Sequence, residues 1–382
     1  MLNSVRSIGL WLWAGSLVAI SACAPAAPTA APTTAPAAPT TAPAKPAATT
    51  APAATTAPAP TAAPAPTTAP AAKPAATTVA APTTAAAVPK AAGKKIVLMV
   101  GVKGDPFYVS MQCGAQDAVK DVGADLQVQG PDKFDATLQN PLLDAVASAK
   151  PDALLVAPND VKASAPPLKR IQDAGAKVIL VDTVVDDPSI GVSRIATDNK
   201  LGGQKAADAL AQLGVKGKVF LISTDPGVSS VDARVAGFKE RAGQLGMTLV
   251  SDTQYSHDQA SVAAQVTSAE LAKDPDLEGV FATNLFTAQG VATGLRQAGK
   301  SGQVKLVGFD AGPDQIKQLE AGDVQALVAQ KPYDIGVQGV QQAAIAMSGG
   351  QVTPNIATES LIVTKDNLND PNVNKYIYKA SC

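Results

Sequence analysis

Short apolar runs alternate with amphipathic stretches along the chain from residue 94 onward. In the first amphipathic stretch Phe107, Met111, Ala115 and Val119 are four residues apart and therefore share one face of a helix. Strands that alternate with helices at this spacing form βαβ units, so the pattern predicts a parallel sheet covered by helices. The first apolar runs are Lys95–Val100, Asp125–Gln129, Ala153–Ala157 and Lys177–Val181.

A second series of apolar runs follows with the same alternation. Its members are Lys218–Ile222, Met247–Val250, Gly279–Ala282, Lys305–Phe309 and Ala326–Ala329. Two such series predict two Rossmann-like lobes, and residues 94–382 are too many for one ordinary core. In open parallel sheets a ligand binds beyond the carboxyl ends of the strands, so the residues directly after each run are the candidate site.

The N-terminus has a different pattern. Arg6 precedes an apolar run, residues 8–20, that is short for a membrane span and typical of a secretory signal. The run ends in Ile-Ser-Ala before Cys23, which resembles the lipobox of bacterial lipoproteins. We therefore predict a lipoprotein signal peptide over residues 1–22 and lipidation of Cys23. An ordinary signal peptide with an incidental cysteine and an uncleaved anchor helix are the alternatives.

The segment after Cys23 is compositionally simple. Residues 24–93 contain 64 Ala, Pro or Thr among 70 positions, and the first acidic residue of the chain is Asp105. Such a segment cannot bury enough apolar surface to offset its ordering entropy, so residues 23–93 are predicted to be a disordered, lipid-bearing tether. Extended at about 3.1 Å per residue, it could reach on the order of 200 Å. It could be an O-glycosylated stalk or an unmodified spacer.

Charge and residue types limit the possible functions. Lys and Arg total 31 against 32 Asp and Glu, without a basic block, which argues against nucleic-acid binding. One His and three dispersed Cys leave no plausible zinc site, and we expect no metal or other cofactor. The chain lacks a Gly-x-Ser-x-Gly motif, and Gly101–Gly104 does not fit the dinucleotide pattern. We therefore predict a binding protein and not an enzyme.

Polar residues stand where the predicted strands end, in segments that resemble a known family. The segments are GDPFYVSM (104–111), ATDNKLGG (196–203), DARVAGF (232–238), FATN (281–284), VGFDAGPD (307–314) and ALVAQ (326–330). From residue 94 to about residue 365 the sequence resembles the periplasmic monosaccharide-binding proteins of ABC importers, the group of the ribose- and glucose/galactose-binding proteins. The resemblance implies the type I periplasmic-binding fold, an α/β clamp of two Rossmann-like lobes with parallel sheets and a three-stranded hinge.

The same resemblance implies how the chain is divided. The N-terminal lobe would comprise residues 94–197 plus 331–358, and the C-terminal lobe residues 198–330 plus 359–382. The chain would cross between the lobes near Asp198, Gln330 and Glu359. Its last residues outrun the usual end of this fold and could pack back on the N-terminal lobe.

The resemblance also implies a site for a monosaccharide, whose hydroxyls need paired acceptors and donors and whose faces need flat rings. Carried over position by position, the ligand-binding residues are Asp105, Phe107, Tyr108, Asp182, Thr183, Asn199, Arg234, His257, Asn284, Asp310 and Gln330. An Asp or Asn that follows a strand can instead cap the next helix, which leaves an alternative for Asp182, Asn199 and Asp310. Arg234 could be only a surface partner of Asp232.

Three departures from the relatives bear on the ligand. Thr183 stands where ribose-binding relatives carry Arg, which removes a fixed set of donors and opens space. Asp105 stands where ribose relatives have Asn, as in glucose/galactose relatives. His257 aligns with the stacking aromatic of the second lobe. We therefore expect a pyranose, hexose ahead of pentose, with a related small polyol as an alternative.

The two remaining cysteines could form a disulfide. Cys113 lies across its predicted helix from the core stripe and is therefore available to a partner, and Cys382 ends the extension. In an oxidising compartment we predict a Cys113–Cys382 bond. The alternative is two unpaired thiols and a loose tail.

These observations predict a monomeric, extracytoplasmic, lipid-anchored protein that delivers a monosaccharide to the membrane permease of an ABC importer. Cys23 would hold it on the outer face of the cytoplasmic membrane or in a periplasm. A sensory partner, either a chemoreceptor or a histidine-kinase ectodomain, is the alternative to the importer. A glycosidase is the enzyme alternative, because clustered carboxylates serve that chemistry as well.

Overall fold

The computed structural model of the protein describes residues 88–382. The predicted signal peptide, Cys23 and the tether up to residue 87 lie outside the described residues. Residues 88–93, predicted to belong to the disordered tether, instead pack on the first lobe, where Ala91 is buried and its N–H donates to the Val122 carbonyl at 2.7 Å. Within residues 88–382 no helix is both long enough and apolar enough to cross a membrane. The described part is α/β, with parallel sheets flanked by helices, which confirms the predicted fold class.

Strands and helices alternate along most of the described chain. In chain order the elements are β1 (Lys95–Met99), α1 (Pro106–Val122), β2 (Asp125–Gln129), α2 (Ala136–Ala149), β3 (Ala153–Val156), α3 (Ala165–Asp173), β4 (Lys177–Val181), β5 (Ser193–Thr197), α4 (Asn199–Gln212), β6 (Lys218–Ser223), α5 (Ser229–Gln244), β7 (Thr248–Leu249), β8 (Gln254–Tyr255), α6 (Ala260–Lys273), β9 (Gly279–Ala282), α7 (Leu285–Gln297), β10 (Lys305–Phe309), α8 (Pro313–Ala321), β11 (Ala326–Ala329), α9 (Pro332–Met347), β12 (Asn355–Thr358), β13 (Leu361–Val363) and α10 (Pro371–Asn374).

The first sheet has six parallel strands in the order β12-β5-β4-β3-β1-β2. Every residue of its central strand β3 is buried, because helices cover both faces of the sheet. Helix α9 comes from the second half of the chain, yet it packs against α1 and β4 of this sheet. The first lobe is therefore built from two separate parts of the sequence.

The second sheet has the order β13-β11-β10-β9-β6-β7, with β8 also paired to β6. All of its pairs are parallel except β13, which runs antiparallel to β11. The predicted strand 247–250 is reduced to Thr248–Leu249, because it lies at the sheet edge and pairs with β6 over only two residues. Strands β5, β8, β12 and β13 did not stand out as apolar runs, since polar residues interrupt or shorten them.

Three connections join the two sheets and form the hinge. They run from β5 to α4, from β11 to α9, and from β12 to β13. Side chains tie these connections together: the Thr197 hydroxyl donates to Gln330 Oε1 at 2.6 Å and lies 3.4 Å from the Thr358 hydroxyl. The backbone N–H of Asp198 donates to the Thr358 carbonyl at 3.1 Å.

The C-terminal tail, residues 364–382, leaves the second sheet after β13 and ends on the first lobe. The Tyr378 N–H donates to the Ala311 carbonyl at 3.0 Å, and the next N–H, that of Lys379, donates to Ser110 Oγ at 2.7 Å. Cys382 is paired with Cys113 of α1, with their Cα atoms 5.3 Å apart. The tail is thus a fourth connection between the lobes.

Candidate functional site

A small cavity of about 40 Å³, partly open to solvent, lies between the lobes where the carboxyl ends of both sheets face each other. The lining residues are Asp105, Phe107, Tyr108, Phe134, Asp182, Thr224, Val228, Ser230, Val231, Arg234, Asp258, Asn284, Asp310 and Gln330. The topology of two parallel sheets places a ligand at this point, because strand ends of both lobes and one hinge connection converge there.

The lobes also touch each other on the side of the cavity away from the hinge. The Val161 N–H donates to the Gly227 carbonyl at 2.9 Å, and the Val184 N–H donates to Ser229 Oγ at 2.8 Å. Gly227 has φ +87° and lies so close to Asp160 that a Cβ there would be 2.9 Å from Oδ2. The structure is therefore a closed clamp, with the cavity between the hinge and this contact.

Asp105 and the two aromatic residues after it come from the first turn of α1. Asp105 caps the helix by accepting the Phe107 N–H at 2.8 Å, which leaves its second oxygen for a ligand. Both the capping role and the ligand role of this residue are therefore compatible. The rings of Phe107 and Tyr108 are buried and meet edge to face, with centroids 5.1 Å apart. Burial, together with the neighbouring carboxylates, raises the pKa of Asp105 well above its usual value.

Asp182 follows β4 and adopts a left-handed backbone conformation, with φ +65°. Its Oδ2 accepts the Tyr108 hydroxyl at 2.8 Å. Burial raises the pKa of Asp182 to about 6, while the Arg234 charge and the Tyr108 hydrogen bond act in the opposite direction. Gly101 makes room for this arrangement, because a Cβ there would lie 2.3 Å from the Tyr108 hydroxyl and 2.6 Å from the Phe134 ring.

Asp310 holds the equivalent place in the second lobe, directly after β10, with φ +77°. Its Oδ1 accepts two hydrogen bonds, from Gln330 Nε2 at 2.6 Å and from the Tyr378 hydroxyl at 2.9 Å. Burial raises the pKa of Asp310, opposed by the Arg234 charge and by these two hydrogen bonds. The Leu285 backbone N–H also hydrogen-bonds this carboxyl, and no side chain donates to its Oδ2 within the described residues.

Arg234 projects from α5 and is almost completely buried. Its Nε donates to Asn199 Oδ1 at 2.8 Å, its Nη1 donates to the Thr283 carbonyl at 2.8 Å, and its Cζ lies 3.7 Å from the centroid of the Phe309 ring. These contacts fix the guanidinium plane and leave other N–H groups for the cavity. Asn199 therefore holds Arg234 in place and does not line the cavity, contrary to its predicted role as a ligand group.

Two further predicted site residues point away from the cavity. The Thr183 hydroxyl donates to the Pro158 carbonyl at 2.7 Å, and the residue is buried behind the wall. His257 is mostly exposed and pairs with Asp225 through Nδ1 at 2.5 Å, outside the cavity lining. The prediction that His257 supplies the second-lobe platform is not supported by this placement.

Asp258, the residue after His257, lines the cavity instead of His257. His257 and Asp258 have φ +52° and +54°, and this tight left-handed turn sends the first side chain outward and the second inward. Asp258 Oδ1 accepts the Asn284 Nδ2–H₂ at 2.6 Å. Removal from water raises the pKa of Asp258 to about 7, against the effect of the Asn284 hydrogen bond. The sequence pointed to the segment Tyr255–Asp258 through His257, and the structure places Asp258 of that segment in the cavity lining.

The sequence also gave no indication of Phe134, a first-lobe aromatic residue in the loop before α2 that lines the cavity. Thr224, at the end of β6, and Ser230, in the first turn of α5, are small polar residues that line it as well. The strand-end rule could have found Thr224, because it lies two residues after the predicted apolar run Lys218–Ile222. Phe134 has no such signal.

The cavity is rich in acceptors and has one fixed cation. The carboxyl groups of Asp105, Asp182, Asp258 and Asp310 line the cavity together with the Arg234 guanidinium. Four acidic side chains against one guanidinium disfavour an anionic ligand and favour one whose hydroxyls donate hydrogen bonds. Among the described residues, no three His, Cys, Asp or Glu side chains are arranged to hold a metal ion.

The comparisons with known proteins agree with this geometry. Residues 96–351 match the periplasmic binding protein domain family. The ribose import binding protein of Escherichia coli is 32% identical over 275 residues, which cover 71% of this chain and 90% of that protein. A solved ABC transporter solute-binding protein from Agrobacterium vitis, bound with α-D-tagatopyranose, is 39% identical with a TM-score of 0.73, and the match covers 75% of this chain and 99% of that one. Another, from the same species with bound D-fucose, is 30% identical with a TM-score of 0.71, covering 74% and 100% of the two chains.

Proposed function

This chain belongs to the periplasmic binding proteins, as a sugar-binding solute-binding protein of an ABC transporter, and we propose that its ligand is a pyranose monosaccharide, a hexose in preference to a pentose. The family implies an extracytoplasmic location. Its relatives named above are solute-binding proteins and not enzymes, which is consistent with a role in capture and delivery.

One observation carries the proposal: carboxylates from both lobes converge with Arg234 in one closed cavity. Asp105 and Asp182 come from the first lobe, and Asp258 and Asp310 from the second. Each carboxylate can accept hydroxyl hydrogens from a different edge of one sugar, so both lobes can grip the same molecule. Binding then shifts the open–closed equilibrium toward the closed clamp, which is the form a permease would recognise.

The preference for a pyranose rests on the chemistry of the cavity wall and on the relatives. The Thr183 hydroxyl donates to the Pro158 carbonyl and so gives the ligand no hydrogen bond. Ribose-binding relatives carry Arg at this position, whose guanidinium would supply several donors. Asp105 offers a carboxylate instead of an amide. Two of the similar solved proteins carry α-D-tagatopyranose and D-fucose. These features favour a six-membered ring with one more hydroxymethyl or methyl substituent than a pentose has.

The N-terminal segment completes the proposal. Acylation of Cys23 would anchor the protein outside the cytoplasmic membrane, and residues 24–87 would let the clamp reach the permease. Mass spectrometry of the mature membrane-bound protein is expected to find an acylated Cys23 at its N-terminus. A Cys23→Ala variant should keep its sugar affinity, because the folded part begins near residue 88. An unmodified Cys23 in the membrane-bound protein would contradict the lipid anchor.

The ligand is tested by native mass spectrometry of the protein as purified, followed by melting-temperature shifts against separate panels of aldohexoses, ketohexoses, deoxyhexoses and pentoses. At a hundredfold excess over Kd, binding stabilises by about 2.7 kcal/mol, which gives a clear shift. Asp310→Asn should lose most of the shift, whereas Asp314→Asn, an exposed residue of the same segment, should keep it. Larger shifts with pentoses would overturn the hexose preference, and no shift with any sugar would overturn the proposed function.

A further inference from the structure

The C-terminal tail contributes to the binding site although no part of it lines the cavity. It runs from the second lobe at Ala311 to the first lobe at Ser110, and its last residue is bonded to Cys113 of α1. Tyr378, whose N–H makes the contact with Ala311, is buried. The tail therefore crosses the hinge side of the clamp directly behind the ligand-facing residues.

The Tyr378 hydroxyl makes two hydrogen bonds at the base of the cavity. It donates to Asp310 Oδ1 at 2.9 Å and accepts the backbone N–H of Gln330 at 3.1 Å. Gln330 in turn donates to the same Asp310 oxygen. One phenol group thus holds a strand-end carboxylate and a hinge residue together, and it fixes which Asp310 oxygen faces the ligand.

The Tyr378 ring makes a contact with the opposite lobe. Its centroid lies 5.8 Å from that of Phe107, in an edge-to-face arrangement, and Phe107 belongs to the first turn of α1. Tyr378 therefore touches a cavity residue of each lobe at once. The arrangement parallels Tyr108 and Asp182 in the first lobe, where a phenol also bonds the carboxylate after a strand.

We propose that Tyr378 is a positioning residue for the bound sugar, and that the Cys113–Cys382 disulfide keeps it in place by closing the tail onto the first lobe. The proposal rests on the proposed function for its effect on affinity. Beyond Tyr378 the tail is held by the Lys379 N–H and by the Lys379 ammonium, 5.2 Å from the centroid of the Tyr333 ring. These are weak attachments for a chain terminus, so the covalent bond decides how firmly the tail is seated.

The first test compares Tyr378→Phe with Tyr376→Phe. Tyr378→Phe removes one hydroxyl and keeps the ring against Phe107, and it should weaken sugar binding about tenfold in calorimetric titrations, since a hydrogen bond to a charged group is lost. Loss of that bond also raises the pKa of Asp310, so the acid limb of the affinity–pH profile should move to higher pH. Tyr376→Phe, a buried tyrosine of the same tail outside the site, should change neither quantity.

The second test asks whether the disulfide acts through Tyr378. Removing the bond with Cys113→Ala and Cys382→Ala should weaken binding when Tyr378 is present and add little when residue 378 is already Phe. This non-additivity is expected of groups that act as one unit. The proposal is overturned if loss of the disulfide weakens binding by the same factor whether residue 378 is Tyr or Phe. It is also overturned if Tyr378→Phe changes neither the affinity nor its pH profile.

A ligand-free measurement separates this proposal from the proposed function. Hydrogen exchange at the Gln330 amide, followed by NMR, should be slow in the unmodified protein and in Tyr376→Phe. It should be fast in Tyr378→Phe and in the double cysteine variant. If no sugar binds but exchange follows this order, the proposed function fails and the positioning role stands. Equal exchange in all four proteins overturns the positioning role whatever the ligand.

Discussion

Asp182 and Asp310 show how single residues are shaped for the site. Both follow a parallel strand and both have a positive φ, which costs a residue other than glycine about 1–3 kcal/mol. Hydrogen bonds from Tyr108 and Tyr378 offset part of that cost and hold the carboxylates at the cavity. An ordinary helix cap does not need a positive φ. The left-handed conformation therefore supports the ligand-binding role of both residues.

The raised carboxylate pKa values predict that affinity depends on pH. The pKa of Asp258 is about 7 and that of Asp182 about 6, and the ionised form accepts a sugar hydroxyl more strongly than the protonated form does. Affinity should therefore be weaker at pH 6 than at pH 8, on the order of tenfold, in isothermal titration. Asp258→Asn should bind more weakly at pH 8 and show a flatter profile, whereas the exposed Asp252→Asn should retain the profile of the unmodified protein.

The same groups predict the opposite trend for the stability of the ligand-free protein. Their folded-state pKa values lie above the unfolded value of 3.8, so the folded state binds more protons between about pH 4 and pH 7. The free energy of unfolding should fall as pH rises through that range, and denaturant titrations at pH 5 and pH 8 measure it. A ligand-free protein that is more stable at pH 8 would contradict the assigned burial of these carboxylates.

The contacts of Arg234 predict that replacing it weakens sugar binding even when the positive charge is kept. Two of its N–H groups are already bonded to Asn199 and the Thr283 carbonyl, and the fork lets others reach the cavity. Lys cannot hold both partners and a ligand, so Arg234→Lys should bind sugar about a hundredfold more weakly. Arg241 lies on the same helix as Arg234 and forms a surface ion pair with Asp208 of α4. The control variant Arg241→Lys should therefore bind sugar normally. Equal affinities for the two variants would show that Arg234 does not grip the ligand.

At the scale of elements, the position of Arg234 depends on how closely α4 and α5 pack. A Cβ on Gly237 would lie 2.0 Å from the Lys200 carbonyl oxygen, and one on Gly203 would lie 2.1 Å from that of Arg234. The two helices therefore touch backbone to backbone, in contact with the turn that carries the guanidinium. The absence of a side chain at these positions is a requirement of packing.

Two alanine substitutions on α5 test this packing. Gly237→Ala must push α4 and α5 apart, so it should lower the melting temperature and weaken sugar binding. Gly243→Ala adds a methyl group that meets nothing within 4 Å, so it should stabilise by about 0.5–1 kcal/mol through helix propensity. Thermal unfolding of both variants measures the difference, and equal melting temperatures would contradict the close contact.

At the scale of the whole molecule, the disulfide joins residues 269 positions apart. Closing so long a loop restricts the unfolded chain and could stabilise by up to about 5 kcal/mol. Cys113→Ala with Cys382→Ala should lower the free energy of unfolding accordingly in urea titrations of the full chain. Peptide mass mapping under non-reducing conditions provides the direct check, and finding both thiols free in the secreted protein would contradict the bond.

Much of the fold could be predicted, because burial on both faces leaves apolar runs such as Ala153–Val156 visible in the sequence. Strand β12 could not be recognised as an apolar run, because it lies at the sheet edge and its residues alternate in exposure. The strand-end rule of parallel sheets pointed to Asp182 and Asp310, and both line the cavity. It could not show that Asp258 and not His257 lines the cavity, because the left-handed turn that decides which side chain faces inward is not encoded in an apolar pattern.

The sequence alone determined that the folded part is an α/β clamp with carboxylates at its strand ends, because periodic burial and parallel topology are local consequences of residue order. Only the tertiary structure decided how those groups act together. It showed that Asn199 supports Arg234 and that Tyr378, from the far end of the chain, supports Asp310. Such contacts join residues distant in sequence, and their geometry is fixed only when both lobes and the tail have packed.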